Sequence, residues 1–148
     1  MVDRFAQFVA GISCINRCIQ KIERDVMVHY GLKGPHAQYL IAMSRYPDGV
    51  TATQLSSLCE KDKAAVSRAV SELEKSGLLH RVSEGNSYRA MLTLTAQGKT
   101  AAEQLIHQAE IAVEQAGHGL TDETRATFYS AFNLIASNLQ RISEDGLN

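Results

Sequence analysis

Seven apolar residues near the start of the chain, Phe5, Phe8, Ile12, Ile15, Ile19, Ile22 and Val26, are spaced alternately three and four apart. That spacing puts them on one narrow seam of a helix. It predicts a helix from residue 3 to about residue 30, stopped by Gly31. The far end repeats the device. Phe128, Phe132, Ile135, Leu139 and Ile142 step by four and three behind Thr121-Asp122-Glu123, whose side chains suit a helix N-terminus. A chain of 148 residues must cover both stripes, either on its own core or on a second copy. A homodimer with interleaved terminal helices is the expectation adopted.

Between the seams the punctuation is dense. Gly34-Pro35 opens a helix through about Arg45, and Pro47-Asp48-Gly49 closes it as a turn. Thr51 and Gln54 form a capping-box pattern for a short helix to about Leu58. Asp62 can cap the next helix, which ends at Ser76-Gly77. Residues 79–83 and 88–94 look extended, and Glu84-Gly85-Asn86-Ser87 supplies the turn of a hairpin. Thr95 can cap a helix over about 96–116, and Gly117 and Gly119 break it before the last one. The expected fold is therefore mainly α with one small β-hairpin. It is read as a single domain, 1–148, with a central lobe at 35–95 and a helical dimerisation region formed by 1–30 and 96–148.

Charge is divided along the chain. Residues 1–99 hold thirteen Lys and Arg against nine Asp and Glu, whereas 100–148 hold two against seven. The middle of the chain can thus face a polyanion while the C-terminal part stays acidic. No apolar run approaches the ~20 residues that cross a bilayer, and no leader pattern precedes the first helix, so no membrane association and a cytoplasmic location are expected. Cys14, Cys18 and Cys59 contain no CxxC pair, which fits reduced thiols better than disulfides.

The stretch at 61–81, KDKAAVSRAVSELEKSGLLHR, carries the functional signal. Val66, Ala69, Val70 and Leu73 mark its buried face, which leaves Ala64, Ser67, Arg68, Ser71 and Lys75 opposite them and Lys63 on the flank. Small residues on that outer face permit close approach to a major groove. Arg and Lys can reach guanine or phosphate, and Ser can serve either base or backbone. With the short helix before it and the Cys59-Glu60-Lys61 turn, residues 62–76 read as the recognition helix of a helix-turn-helix. The hairpin that follows makes it winged.

LSSLCEKDKAAVSRAVSELEKSGLLHR, followed by YRAMLTLTAQGK, resembles the multiple antibiotic resistance regulator (MarR) family. The resemblance rests on a short helix, a Ser/Thr-and-Arg recognition helix, Leu73-x-x-x-Gly77-Leu78, Arg81, and a wing ending in Leu94-Thr95-x-x-Gly98. It implies a dimeric winged helix-turn-helix regulator on a pseudo-palindromic double-stranded DNA operator, usually a repressor relieved by a small molecule or an oxidant. The family wing commonly has Asp-x-Arg or Asp-Arg-Arg near its tip, whereas this one reads Glu84-Gly85-Asn86-Ser87-Tyr88-Arg89.

The candidate DNA contacts are Lys61, Lys63, Ala64, Ser67, Arg68, Ser71, Arg81, Asn86 and Arg89. Arg81 has two options, a phosphate or an ion pair with Glu72 or Glu74. The resemblance also implies an effector pocket, for which Tyr30, His36, Tyr39, Met43 and Met91 are candidates; Tyr39 and Met43 can equally be core. Because some relatives sense oxidants through a cysteine of the first helix, Cys14 and Cys18 are candidate redox residues, with inert thiols as the alternative. His29, His36, His107 and His118 form no i, i+4 pair, and neither a metal site nor a cofactor is expected. Without a Gly-rich phosphate loop, GxSxG or HExxH, the chain does not read as an enzyme. The competing function is a winged-helix protein-interaction module that does not bind DNA.

Overall fold

The computed structural model describes residues 2–82 and 90–147. Among them are six α-helices and two strands: α1 (Val2–Met27), α2 (Ala37–Ser44), α3 (Ala52–Cys59), α4 (Lys63–Lys75), β1 (Leu79–Val82), β2 (Met91–Leu94), α5 (Ala96–Ala116) and α6 (Asp122–Asp145). Short 3-10 turns at Val28–Tyr30 and Gly34–His36 join α1 to α2. The expected mainly α chain with one small hairpin is what forms. The helix expected from Pro35 is 3-10 for its first turn and α only from Ala37. The backbone gathers into two compact units, Met1–Glu110 and Ile111–Asn148, which divide within α5.

In the first unit, the end of α1, the start of α3 and both ends of α4 have a local chemical cause. Gly31 takes a left-handed φ of 68° after α1, its N–H reaching Val28 O at 3.1 Å and that of Leu32 reaching Met27 O at 3.1 Å. The last turn's carbonyls are thereby satisfied by the chain reversal itself. At α3 the capping box closes in both directions: Gln54 N–H donates to Thr51 Oγ1 at 3.2 Å, and Thr51 N–H donates to Gln54 Oε1 at 2.8 Å. Asp62 Oδ1 accepts from Ala65 N–H at 2.7 Å and starts α4.

The end of α4 explains Leu-x-x-x-Gly-Leu. Gly77 at φ 74° lets its own N–H reach Glu74 O and lets Leu78 N–H reach Leu73 O, both at 3.0 Å. Leu73 and Leu78, which flank this closure, are both fully buried. One reversal thus satisfies two carbonyls and brings two leucines into the core.

β1 and β2 pair antiparallel, with Leu79 opposite Leu94 and Val82 opposite Met91. Val50, just before α3, joins them by exchanging hydrogen bonds with Leu92 (3.0 and 2.7 Å). The hairpin is thereby tied to the helix-turn-helix by backbone as well as by packing. Met27, Leu40, Leu55, Leu73, Leu92 and Leu105 are the fully buried centre of the core, drawn from α1 to α5 and the sheet. Replacing Asp62 by Ala removes the α4 cap, and is expected to lower stability by about 1 kcal/mol in a urea titration. Asp62→Asn, which keeps an acceptor at the same place, is expected to recover most of that loss.

In the second unit α6 starts at Thr121, whose Oγ1 accepts from Thr124 N–H at 3.1 Å. The Arg125 guanidinium closes the turn, donating to Gly117 O at 3.2 Å and lying 3.6 Å from a Glu114 carboxylate oxygen. None of the residues of α6 is buried. Phe128 stacks on Phe132, with ring centroids 5.6 Å apart, and meets Tyr129 edge to face. Among the described residues no helix is long and apolar enough to cross a membrane.

Candidate nucleic-acid interface

The cap at Asp62 and the stop at Gly77 fix the two ends of α4, and the hydrophobic spacing fixes its rotation. Val66, Ala69, Val70 and Leu73 are all buried, as the spacing predicts. Lys61, Lys63, Ala64, Ser67 and Arg68 are exposed, and Ser71 is half-buried. The turn before α4 is tight. Glu60 adopts the left-handed conformation at φ 50°, Lys61 N–H donates to Ser56 O at 3.1 Å, and the Ser56 hydroxyl donates to Lys61 O. This closure sets Lys61 at the entrance to α4, beside the outer face that carries Lys63, Ser67 and Arg68.

Arg81 on β1 lies with Nε 3.4 Å from Glu74 Oε2, both side chains being roughly two-fifths exposed. Glu72, the other carboxylate considered for it, is engaged elsewhere: its Oε2 is 2.7 Å from His36 Nε2. Asn86 and Arg89, expected at the wing, lie outside the described residues, as does the Glu84–Ser87 turn.

Among the described residues of the first unit, three cavities stand out. One of about 350 Å³ lies against α4 and is bordered by Lys33, His36, Tyr39, Lys61, Arg68 and Glu72 among others. A second, about 310 Å³, is lined by Ile22, Asp25, Val26, His29, Gln104 and Gln108 between α1 and α5. A third, about 420 Å³, includes Met43, Tyr46, Lys99 and Glu103. The five residues grouped as an effector pocket are therefore divided: His36 and Tyr39 on the first cavity, Met43 on the third, Tyr30 and Met91 on none of the three. The reason is local. Tyr39 and Met43, four apart on α2, turn into the core, and Tyr30 is tied to α5 by its hydroxyl, which donates to Gln104 Oε1 at 2.8 Å. The polar lining of the α1–α5 cavity, Asp25, His29, Gln104 and Gln108, was not marked by sequence spacing, because the two helices are distant in the chain.

Cys14 and Cys18 are exposed on α1. Cys59 is half-buried, and burial pushes its thiol pKa up, with Lys61 opposing the shift. Burial likewise raises the Tyr39 phenol above its usual value, helped by Cys59 and Asp62 and opposed by Arg68. Among the described residues no three His, Cys, Asp or Glu side chains gather at metal-binding distance.

The MarR family model matches residues 30–90, from the last residue of the 3-10 turn after α1 to the residue before β2. Over that segment the chain is similar to the MarR family. Solved MarR structures share the fold well beyond it. A MarR family transcription regulator superposes with a TM-score of 0.79 at 19% identity, over 97% of this chain and 93% of that one. A MarR family transcriptional regulator from Listeria monocytogenes, complexed with 26mer DNA, gives 0.75 at 21% identity over 95% of each chain. One from Methanosarcina mazei Go1 gives 0.77 at 21% identity, over 91% of this chain and 90% of that one. No curated protein matches the sequence at a significant level. The winged helix-turn-helix is thus the MarR one, and Leu73, Gly77, Leu78, Thr95 and Gly98 are the residues that close it.

Proposed function

We propose that the protein is a sequence-specific, DNA-binding transcription regulator that acts as a homodimer on a pseudo-palindromic operator. The observation that carries this reading is the outer face of α4, small, hydroxylic and basic, on a helix whose other face is locked in the core. Such a face enters a major groove without steric cost, Arg68 and Ser67 reading base edges and Lys61 and Lys63 holding phosphates. A winged-helix module built to bind protein would carry acidic or bulky apolar groups there.

Dimerisation follows from the terminal seams. Ile12, Ile15 and Ile19 on α1 are 41%, 53% and 47% exposed, and Phe132, Ile135 and Leu139 on α6 are 41%, 42% and 50% exposed. A second copy that covers them places two recognition helices on successive major-groove faces, about 34 Å apart. In this reading the regulator represses. A small molecule, or oxidation at Cys14 or Cys18, changes the spacing of the two helices and releases the operator.

The test is a salt titration of binding to the DNA upstream of the protein's own coding region and to a scrambled duplex. Wild type is expected to prefer the native fragment and to weaken steeply with salt. Arg68→Ala should lose about 1–3 kcal/mol on the native fragment and most of its preference, whereas Lys63→Ala should weaken both duplexes alike and lower the salt slope by about one. Absence of binding to either duplex at low salt would overturn the proposal in favour of a protein-interaction module.

A further inference from the structure

His36 is the one buried polar side chain among the described residues, and both of its ring nitrogens face oxygen. Nδ1 lies 3.1 Å from the Lys33 carbonyl, and Nε2 lies 2.7 Å from Glu72 Oε2. A carbonyl can only accept, so Nδ1 must donate. A neutral imidazole has then no second N–H, and its Nε2 lone pair would face an ionised carboxylate at hydrogen-bonding distance. With a proton on Nε2 or on the carboxylate, the contact closes as a hydrogen bond.

Glu72 follows Arg68 by four residues on the recognition helix, a spacing at which carboxylate and guanidinium readily pair. Among the described residues Arg68 makes no ion pair. His36, reaching across from the start of α2, thus holds the carboxylate that would otherwise compete with DNA for Arg68. We propose that His36 is a proton-dependent positioning residue, which when the bridge is protonated keeps Glu72 away from Arg68 and when the proton leaves lets Glu72 capture it. DNA affinity then falls as pH rises. This rests on the DNA-binding reading above and adds a regulation to it.

The sign has two sources. Loss of the proton turns a net-neutral pair into a net carboxylate beside the groove-facing helix, and it offers that carboxylate to Arg68. Lys33, Lys61, Arg68 and Tyr39 border the same cavity, and Arg24 of α1 lies against the Gly34 turn. Their charges also act on the bridge, so the test must leave them unchanged. Glu72→Gln does so. In that variant the side-chain amide can donate to an unprotonated Nε2, and the contact no longer needs the extra proton.

Affinity of the full-length chain for its labelled upstream duplex is measured by fluorescence anisotropy between about pH 5.5 and pH 8, where an ordinary imidazole changes charge, at constant ionic strength. Wild type is expected to weaken by roughly fivefold across that interval, the lower end of typical coupling between sites, while Glu72→Gln changes by less than about twofold. Equal slopes for the two proteins, or a flat wild-type profile, overturn the proposal. A DNA-independent arm follows the thermal midpoint of both proteins over the same interval, where wild type is expected to lose ground to Glu72→Gln as pH rises. If neither protein binds either duplex at any pH, the regulator reading fails. The melting data then decide the bridge: parallel profiles overturn it, and profiles that diverge with pH uphold its proton dependence.

Discussion

Gly98→Ala is expected to destabilise the protein by about 3 kcal/mol or more, although helix propensity alone predicts a gain of about 1 kcal/mol for this change in a helix interior. Gly98 lies in the first turn of α5, where its N–H donates to Thr95 Oγ1 at 3.0 Å. A Cβ built there would sit 2.0 Å from the Leu78 carbonyl oxygen and 2.9 Å from its carbon. Backbone cannot step aside as a side-chain tip can, because Leu78 O is itself the acceptor for Thr95 N–H at 3.1 Å and Leu78 is held by the reversal that ends α4. The methyl group would therefore force α5 away from the turn that closes the recognition helix. The Thr95 hydroxyl, which donates to Gly77 O at 2.6 Å, would lose its geometry in the same movement. A fall in Tm of about 10 °C is the expected readout for a chain of this size. Gly11→Ala is the control. It changes a helical glycine whose Cβ would meet nothing within 4 Å, and should raise stability by up to about 1 kcal/mol. If Gly98→Ala melted at or above the wild-type temperature, the close approach of α5 to the Gly77–Leu78 turn would be wrong.

That glycine illustrates which parts of the fold are legible in the sequence. Caps and stops are local, made by side chains reaching three residues along or by a glycine at positive φ, so Thr51, Asp62, Thr95 and Gly77 announce themselves. The buried face of α4 is equally local, because one period of 3.6 residues settles its rotation. What spacing cannot supply is the partner of a face. Phe5, Ile12 and Ile19 belong to the same seam as Val26, yet Val26 is 7% exposed and Phe5 71%, since only the last turns of α1 meet the core. The bridge from His36 to Glu72 joins residues from different elements, and the α1–α5 cavity pairs helices from opposite ends of the first unit. Neither leaves a periodic trace. The effector grouping of Tyr30, His36, Tyr39, Met43 and Met91 drew on the resemblance rather than on a residue pattern. The packing of α2 separates its members, sending Tyr39 and Met43 inward.

Charge placed in the terminal seams is expected to abolish assembly and, with it, the preference for the operator. Ile15 and Ile135 are 53% and 42% exposed on their helices, so the single chain can keep its fold when either becomes Glu: the new carboxylate remains in water. In the proposed dimer the same positions are covered. A twofold interface repeats every substitution, so Ile15→Glu with Ile135→Glu would put four carboxylates into apolar contact without partners. Each costs on the order of 3 kcal/mol when left unpaired, so even one substitution should weaken association at least about a hundredfold. Sedimentation equilibrium should show a wild-type dimer and a monomeric double variant, with helical circular dichroism retained. Operator binding should fall further than association alone requires, because a lone recognition helix gives up the second half-site and its share of phosphate contacts. The outer face of α4 is untouched by these changes, so weak, salt-sensitive binding to any duplex should persist. A wild-type protein that sediments as a monomer, or a double variant that stays dimeric, would show that the seams serve another purpose and that operator recognition does not depend on pairing through them.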